Sequence, residues 1–156
     1  MVEPSGMSDC FACALAVGEV TLPGGLIFKT EHWRVEHCVG PLGLGALVVK
    51  PERHVTAVAE LTEAEANELG PLLWRSSSVA SRLVDAEQVY NCLWSHADGV
   101  PVHIHYVVQP VTRAQMTASG SYGPRLQVAM FFAGQTPAVD EIERIADQAR
   151  RLFDMG

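Results

Sequence analysis

The chain has 156 residues, 48% of them hydrophobic and 19% charged, and its 11 basic side chains against 18 acidic ones give a formal net charge of −7. One domain of ordinary length with one core is expected, residues 1–156, which excludes a disordered chain and leaves no room for a separate regulatory module. The acidic balance argues against polymeric nucleic acid and anionic membrane as partners, since both need a positive surface field, while a small anionic ligand in a pocket stays compatible with it.

At the N-terminus, Met1 to Gly6 reads as an untethered leader, flexible over about residues 1–8, and Met7 is an alternative start. It carries two acidic residues and neither a basic side chain nor an apolar h-region up to Cys10, so no secretory signal is expected and the protein reads as cytoplasmic. The longest stretches without a charged side chain, Gly99 to Thr112 and Leu126 to Val139, fall well short of the ~20 residues of a membrane-spanning helix.

Three short β-prone runs follow, Leu26–Phe28, Trp33–Cys38 and Gly45–Lys50, with links too short for parallel crossovers; they should pair antiparallel. Thr62 and Glu65 form a capping box, and Leu69, Leu72, Leu73, Val79, Ala80 and Leu83 continue at helical spacing to about Val84, with Gly70-Pro71 expected to bend or weaken the helix. Two further strand-like runs, Gln88–Trp94 and Val102–Gln109, are joined by the turn-rich Ser95–Gly99. Pro110–Arg125 reads as a loop and Leu126–Phe132 as a short apolar run. Pro137 opens a last helix capped by Thr136, with Ile142, Ile145, Ala146, Ala149, Leu152 and Phe153 along one stripe. The class is therefore α+β: an antiparallel sheet of about five strands with two main helices over one face, and a C-terminal extension over 111–156.

Chemistry concentrates at two places. His103 and His105 alternate in an otherwise apolar strand, so both project from the same face, ~6.5–7 Å apart along it. Neutral imidazole is nucleophilic near neutrality, with the partner of one ring nitrogen fixing which of the two attacks. Cys10 and Cys13 form a CxxC whose thiolates can bite one metal; two half-buried thiols is the plain alternative. Cys38 and Cys92 lie in strand-like runs and read as core. Lys50, Arg53 and Arg113 could meet phosphate oxygens or be merely solvated, Trp33, Trp74 and Trp94 read as core or interface, and Gly43 and Gly45 suit either a turn or close approach to a nucleotide.

The segment His103-Ile104-His105-Tyr106-Val107-Val108-Gln109-Pro110 resembles the histidine triad (HIT) signature, and Gly45–His54 is similar to the family's glycine, strand, proline, basic residue and histidine segment. The resemblance covers roughly Cys10 to Pro110. It implies the HIT fold and a nucleotide hydrolase or nucleotidyltransferase in which the middle histidine attacks the α-phosphorus of a nucleoside 5′-phosphate derivative, dinucleoside polyphosphates being the familiar substrates. With Pro110 aligned to the family proline, His103 is first and His105 middle, the nucleophile; Val107 stands in the third site, where the family's histidine helps the leaving group. A catalytically weak or inactive nucleotide-binding module is the alternative reading. Asn91, His103, His105, Val107 and Gln109 are the nucleotide-binding positions the resemblance implies. It also implies a structural zinc on Cys10, Cys13, His54 and His103, and allows a homodimer.

Overall fold

Alternation of inward and outward side chains along the central strands decides the architecture, because it gives one sheet two differently clad faces. The computed structural model describes residues 9–156; the leader expected over 1–8 lies outside them. The elements are α1 (Phe11–Val17), β1 (Leu26–Lys29), β2 (Trp33–His37), β3 (Leu47–Pro51), a 3₁₀ turn (Val58–Glu60), α2 (Glu63–Val84), β4 (Gln88–Ala97), β5 (Val100–Val111), α3 (Arg113–Ser119), α4 (Gly123–Ala133) and α5 (Val139–Asp154). The five strands form one sheet in the order β1-β2-β3-β5-β4, every pairing antiparallel; short links require this for β1–β2, β2–β3 and β4–β5, while β3 and β5 meet across the intervening α2 and β4. No helix among the described residues is long and apolar enough to cross a membrane.

One face is apolar. Trp33, Val35, Leu47, Val49 and Val108 project from it and are closed off by Leu72, Val79 and Ala80 of α2 and by Ala146, Ala149 and Phe153 of α5. These are the two main helices expected from periodicity. The Trp33 indole donates to the Glu65 carbonyl at 2.8 Å, which satisfies the one polar atom of a fully buried side chain. Phe28 and Phe153 stack at 4.7 Å with the Arg75 guanidinium over both rings. Helix α2 carries the expected Thr62–Glu65 capping box and runs through Pro71.

The opposite face, from which Arg34, Glu36, Val48, Lys50, His103, His105 and Val107 project, is where the sequence reading and the structure part. Helix α1 was not expected. Pro110–Arg125 is not a loop: β5 extends to Val111, and α3 starts at a second capping box, Thr112 with Gln115. Leu126–Phe132 is helical, within α4, because its Leu126 and Gln127 bury while Val128, Phe131 and Phe132 stay exposed, a helical rather than an alternating pattern. The last helix is capped at Ala138, whose N–H donates to the Glu141 carboxylate, and not at Thr136.

The β4–β5 link is tighter than expected. Asp98 and Gly99 alone form it, with φ of 51° and 77°, the two positive dihedrals of a type I′ hairpin turn. At Gly45 the question between turn and ligand approach resolves toward the protein: its φ is 86°, and a Cβ there would meet Val84 at 3.1 Å.

Candidate functional site

Strand β5 places His103 and His105 on the polar face, as their spacing requires, beside β4, where Trp94 pairs with His105. The two rings do different things. His103 is 2% exposed; its Nε2–H donates to the Pro51 carbonyl at 2.9 Å, which leaves Nδ1 bare. That nitrogen lies 3.4 Å from Cys13 Sγ and 3.8 Å from Cys10 Sγ, and His54 Nδ1 lies 3.4 Å from Cys13 Sγ. Burial, above all, pushes the His103 pKa down to about 4, with His54 and Lys50 adding to it, so the ring is neutral at pH 7.

Cys10, Cys13, His54 and His103 thus bring two sulfurs and two nitrogens within 4.8 Å of one another. A tetrahedral zinc with ordinary bond lengths sets its sulfur and nitrogen ligands ~3.6 Å apart, so the spacing fits. So does the surrounding bonding. The Pro51 carbonyl fixes the tautomer that leaves the sulfur-facing nitrogen free, the usual arrangement behind a metal-ligating histidine. Four protein ligands make a closed, structural set with no position for substrate. A second cluster, Glu31, His32 and Glu68, does not read this way. The Glu68 oxygens are taken by the Thr30 hydroxyl at 2.5 Å and by the His32 backbone N–H and ring at 3.2 and 2.6 Å, so Glu68 clamps the β1–β2 turn.

His105 faces open space. It lines a cavity of about 220 Å³ walled by Phe11 and Leu15 of α1, Val48, Trp94, Val107 and Phe131, and a larger one of about 790 Å³ on the other side of α1. Its Nδ1–H donates to the His103 carbonyl at 3.2 Å, leaving Nε2 bare; burial lowers its pKa, opposed by that hydrogen bond. The neutral ring is held in one tautomer, with Nε2 free to accept a proton or a bond.

Beneath the smaller cavity sits a buried charge cluster. Glu36, 2% exposed, meets Lys50 Nζ at 2.8 Å and Arg34 Nε at 2.6 Å, the latter close in charge but poorly aligned for a hydrogen bond. Lys50 also donates to the Ala12 carbonyl at 2.9 Å. His37 is buried and neutral, its Nδ1–H donating to the Cys38 carbonyl and its Nε2 accepting from the Gly45 N–H at 2.9 Å.

Other expected positions fall elsewhere. Asn91 pairs with Val108 on the helix-covered face and bonds Ser77 of α2 at 3.0 Å, so the sheet itself separates it from His105. Gln109 is fully buried under α4, donating to the Leu42 carbonyl and to Met130, and lines neither cavity. Arg53 is tied to Glu65, and Arg113 to Glu87, away from both cavities. Trp74 is 76% exposed and not core, whereas Cys38 is buried, and Cys92, half-buried, donates to Gln127 at 3.2 Å. Glu36, His37 and Phe131 were missed. The signal for Glu36 was present: charges of opposite sign stand at alternate positions in two adjacent strand-like runs, Arg34 and Glu36 in one and Lys50 in the other. Phe131 carried no such signal, because its run is merely short and apolar.

No protein-family model matches the chain, and no curated protein does either. Solved structures do. A zinc-bound histidine triad family protein from Mycobacterium smegmatis superposes with a TM-score of 0.70 at 18% identity, over 96% of this chain and 99% of that one. A hypothetical histidine triad nucleotide-binding protein from Sulfolobus tokodaii gives 0.70 at 18% identity over 94% and 93%, and a HIT-like protein involved in cell-cycle regulation from Bartonella henselae gives 0.68 at 12% over 92% and 96%. The fold is that of the histidine triad proteins.

Proposed function

We propose that the chain is a histidine triad enzyme, a nucleotide hydrolase or nucleotidyltransferase acting at the α-phosphate of nucleoside 5′-phosphate derivatives, with His105 as nucleophile. The observation that carries this reading is the hydrogen bond from His105 Nδ1–H to the His103 carbonyl, which leaves Nε2 unprotonated on a ring that lines an open, mostly apolar cavity. Nε2 forms the bond to phosphorus as the bond from phosphorus to the leaving group breaks, and the leaving group departs with the electron pair. Water or another acceptor then takes the nucleotidyl group, the N–P bond breaks, and its electron pair returns to the imidazole. Val107 supplies no proton to the leaving group, so substrates whose leaving group needs little protonation react best.

The apolar wall of Phe11, Leu15, Val48 and Trp94 suits the nucleoside rather than the phosphates. Cys10, Cys13, His54 and His103 hold a structural zinc, which supplies a cross-link between α1 and the sheet and takes no part in the chemistry; metal analysis of protein purified without chelator should find about one zinc per chain.

A panel of nucleotide phosphoramidates, dinucleoside polyphosphates and sugar nucleotides tests the activity. Turnover with at least one class, falling by roughly 10³-fold or more in His105→Ala with nucleotide binding retained, is the expected result. If His103→Ala loses turnover while His105→Ala keeps it, His103 is the nucleophile. A second reading, a nucleotide-binding module without turnover, is favoured by one feature: Lys50, the one lysine or arginine lining either cavity among the described residues, is already neutralised by Glu36. Nucleotide binding without turnover across the panel would select it.

A further inference from the structure

Helix α1 is the partition between the two cavities that His105 lines. Phe11, Ala12 and Leu15 face the smaller one, and Cys10, Phe11, Ala12 and Cys13 the larger. Seven residues do not make a stable helix in water, since so short a run hardly repays nucleation. Its own resources are few. Cys10 at its N-cap makes no side-chain cap, and Ala14 and Leu15 are its buried side chains.

What holds α1 are attachments from the sheet. At its start, the Cys10 and Cys13 sulfurs converge with His54 and His103. Along its body, Lys50 donates to the Ala12 carbonyl at 2.9 Å and Arg34 to the Ala16 carbonyl at 3.3 Å. Glu36 fixes both cations from below. Glu36 and Lys50 also line the smaller cavity, so the residues that fasten the helix are part of the wall a ligand would touch.

We propose that α1 is a metal-latched wall: a metal ion on Cys10, Cys13, His54 and His103 and the Glu36-centred cluster together dock this helix, so that metal loading and nucleotide occupancy of the His105 cavity favour each other. The second half of that statement rests on the nucleotide reading above. With the metal removed, the hydrogen bonds from Lys50 and Arg34, the burial of Ala14 and Leu15 and the weak sulfur–imidazole contacts are left to oppose the helix's intrinsic instability, and the docked population falls. A ligand that touches Phe11, Ala12 and Leu15 binds the docked state, and a metal that requires the same state must then gain affinity by the same factor.

Hydrogen exchange on the full chain, metal-loaded and after chelation, tests the latch without reference to activity. Amides of residues 11–17 should exchange at least ~10-fold faster once the metal is gone, while α2 and α5 keep their protection. Unchanged exchange in 11–17 overturns the proposal, as does equal loss of protection in α2 and α5, which would make the metal a support of the whole fold. For the coupling, zinc affinity is measured by competition with a chromophoric chelator with and without saturating AMP; a tightening of about 5-fold or more is expected. Unchanged zinc affinity with AMP shown to bind by calorimetry overturns the coupling. If AMP does not bind, the nucleotide reading fails and the exchange comparison still decides the latch. The double variant Lys50→Met/Glu36→Gln leaves all four ligands in place and should weaken zinc binding several-fold; unchanged affinity removes the ion cluster from the mechanism.

Discussion

Val49 and Lys50 are neighbours in one strand, both almost wholly buried, yet they belong to chemically opposite halves of the molecule. Val49 points into the layer that α2 and α5 close, where close packing of apolar side chains holds the fold. Lys50 points into the layer under α1, where burial is tolerated only because Glu36 and the Ala12 carbonyl meet its charge. Along β3 and β5 the same alternation recurs, with Leu47, Val49, Tyr106 and Val108 on one side and Val48, Lys50, His103, His105 and Val107 on the other. A single strand can therefore serve stability and chemistry at once, and residues one position apart should fail in different ways when changed.

The sharpest contrast is within the charge cluster. Lys50→Met leaves Glu36 buried against Arg34 alone and should destabilise the protein by about 3–5 kcal/mol in urea denaturation, whereas Lys50→Met/Glu36→Gln should recover most of that loss. A double variant as unstable as the single one would mean that the charged face is held by packing, like the other, and the contrast would collapse.

Next in size is truncation within β3. Leu47→Ala on the helix-covered face should cost about 2–5 kcal/mol, since it opens a void in a closed core. Val48→Ala should cost less than about 1 kcal/mol, because its side chain lines an existing cavity and leaves no new void. Equal losses from the same denaturation experiment would show that the cavity face is packed as tightly as the core.

Smaller effects come from the clamps that join the faces. Glu65 in α2 accepts from Arg53 at 2.9 and 3.0 Å and so ties down the segment that carries His54. That guanidinium, with the Thr62 N–H, holds its pKa at about 2. Since the folded value lies below the ordinary ~4.3, the stabilisation is complete above about pH 4.5 and is lost as pH falls toward 2. Glu65→Gln should flatten that limb of the melting curve against pH; an unchanged limb would assign acid lability to other carboxylates.

Weakest of all is the turn clamp at His32. Glu68 raises its pKa, so its contribution is fully present below about pH 6.5 and is lost as pH rises through the raised value. NMR titration of the ring should show the upward shift and its disappearance in Glu68→Gln. Because the His32–Glu68 pair is only half-buried and partly screened by solvent, the melting temperature should move little.

Local rules were sufficient wherever the chain needed only its neighbours. The strands, the Thr62–Glu65 box, the stripe of α5 and the shared face of His103 and His105 follow from spacing alone, because side-chain direction in a strand or helix is fixed by backbone period. The HIT-like motifs added the expected metal set, and the structure brings its ligand atoms within 4.8 Å although its cysteines stand 41 to 93 residues from its histidines in sequence. Failures occurred where a helix depends on partners far away. Helix α1 lacks a side-chain cap and takes its hold from Lys50 and Arg34, and α4 contains a short apolar run whose helical form is not set by its own pattern.

By itself, then, the sequence determined the α+β class, the antiparallel pairing of short-linked strands and the two histidines on one face, all consequences of local spacing. Only the tertiary structure decided what those histidines meet. Asn91 and Gln109 stand at the positions the motif suggests, but pairing register sends Asn91 to Ser77 on the far face and α4 seals Gln109 under Met130. Glu36, from a neighbouring strand, comes instead to neutralise the lysine beside His105. Which side chains share a cavity depends on register and on which helix covers which face, and both are fixed by the summed burial of the whole core rather than by any local pattern.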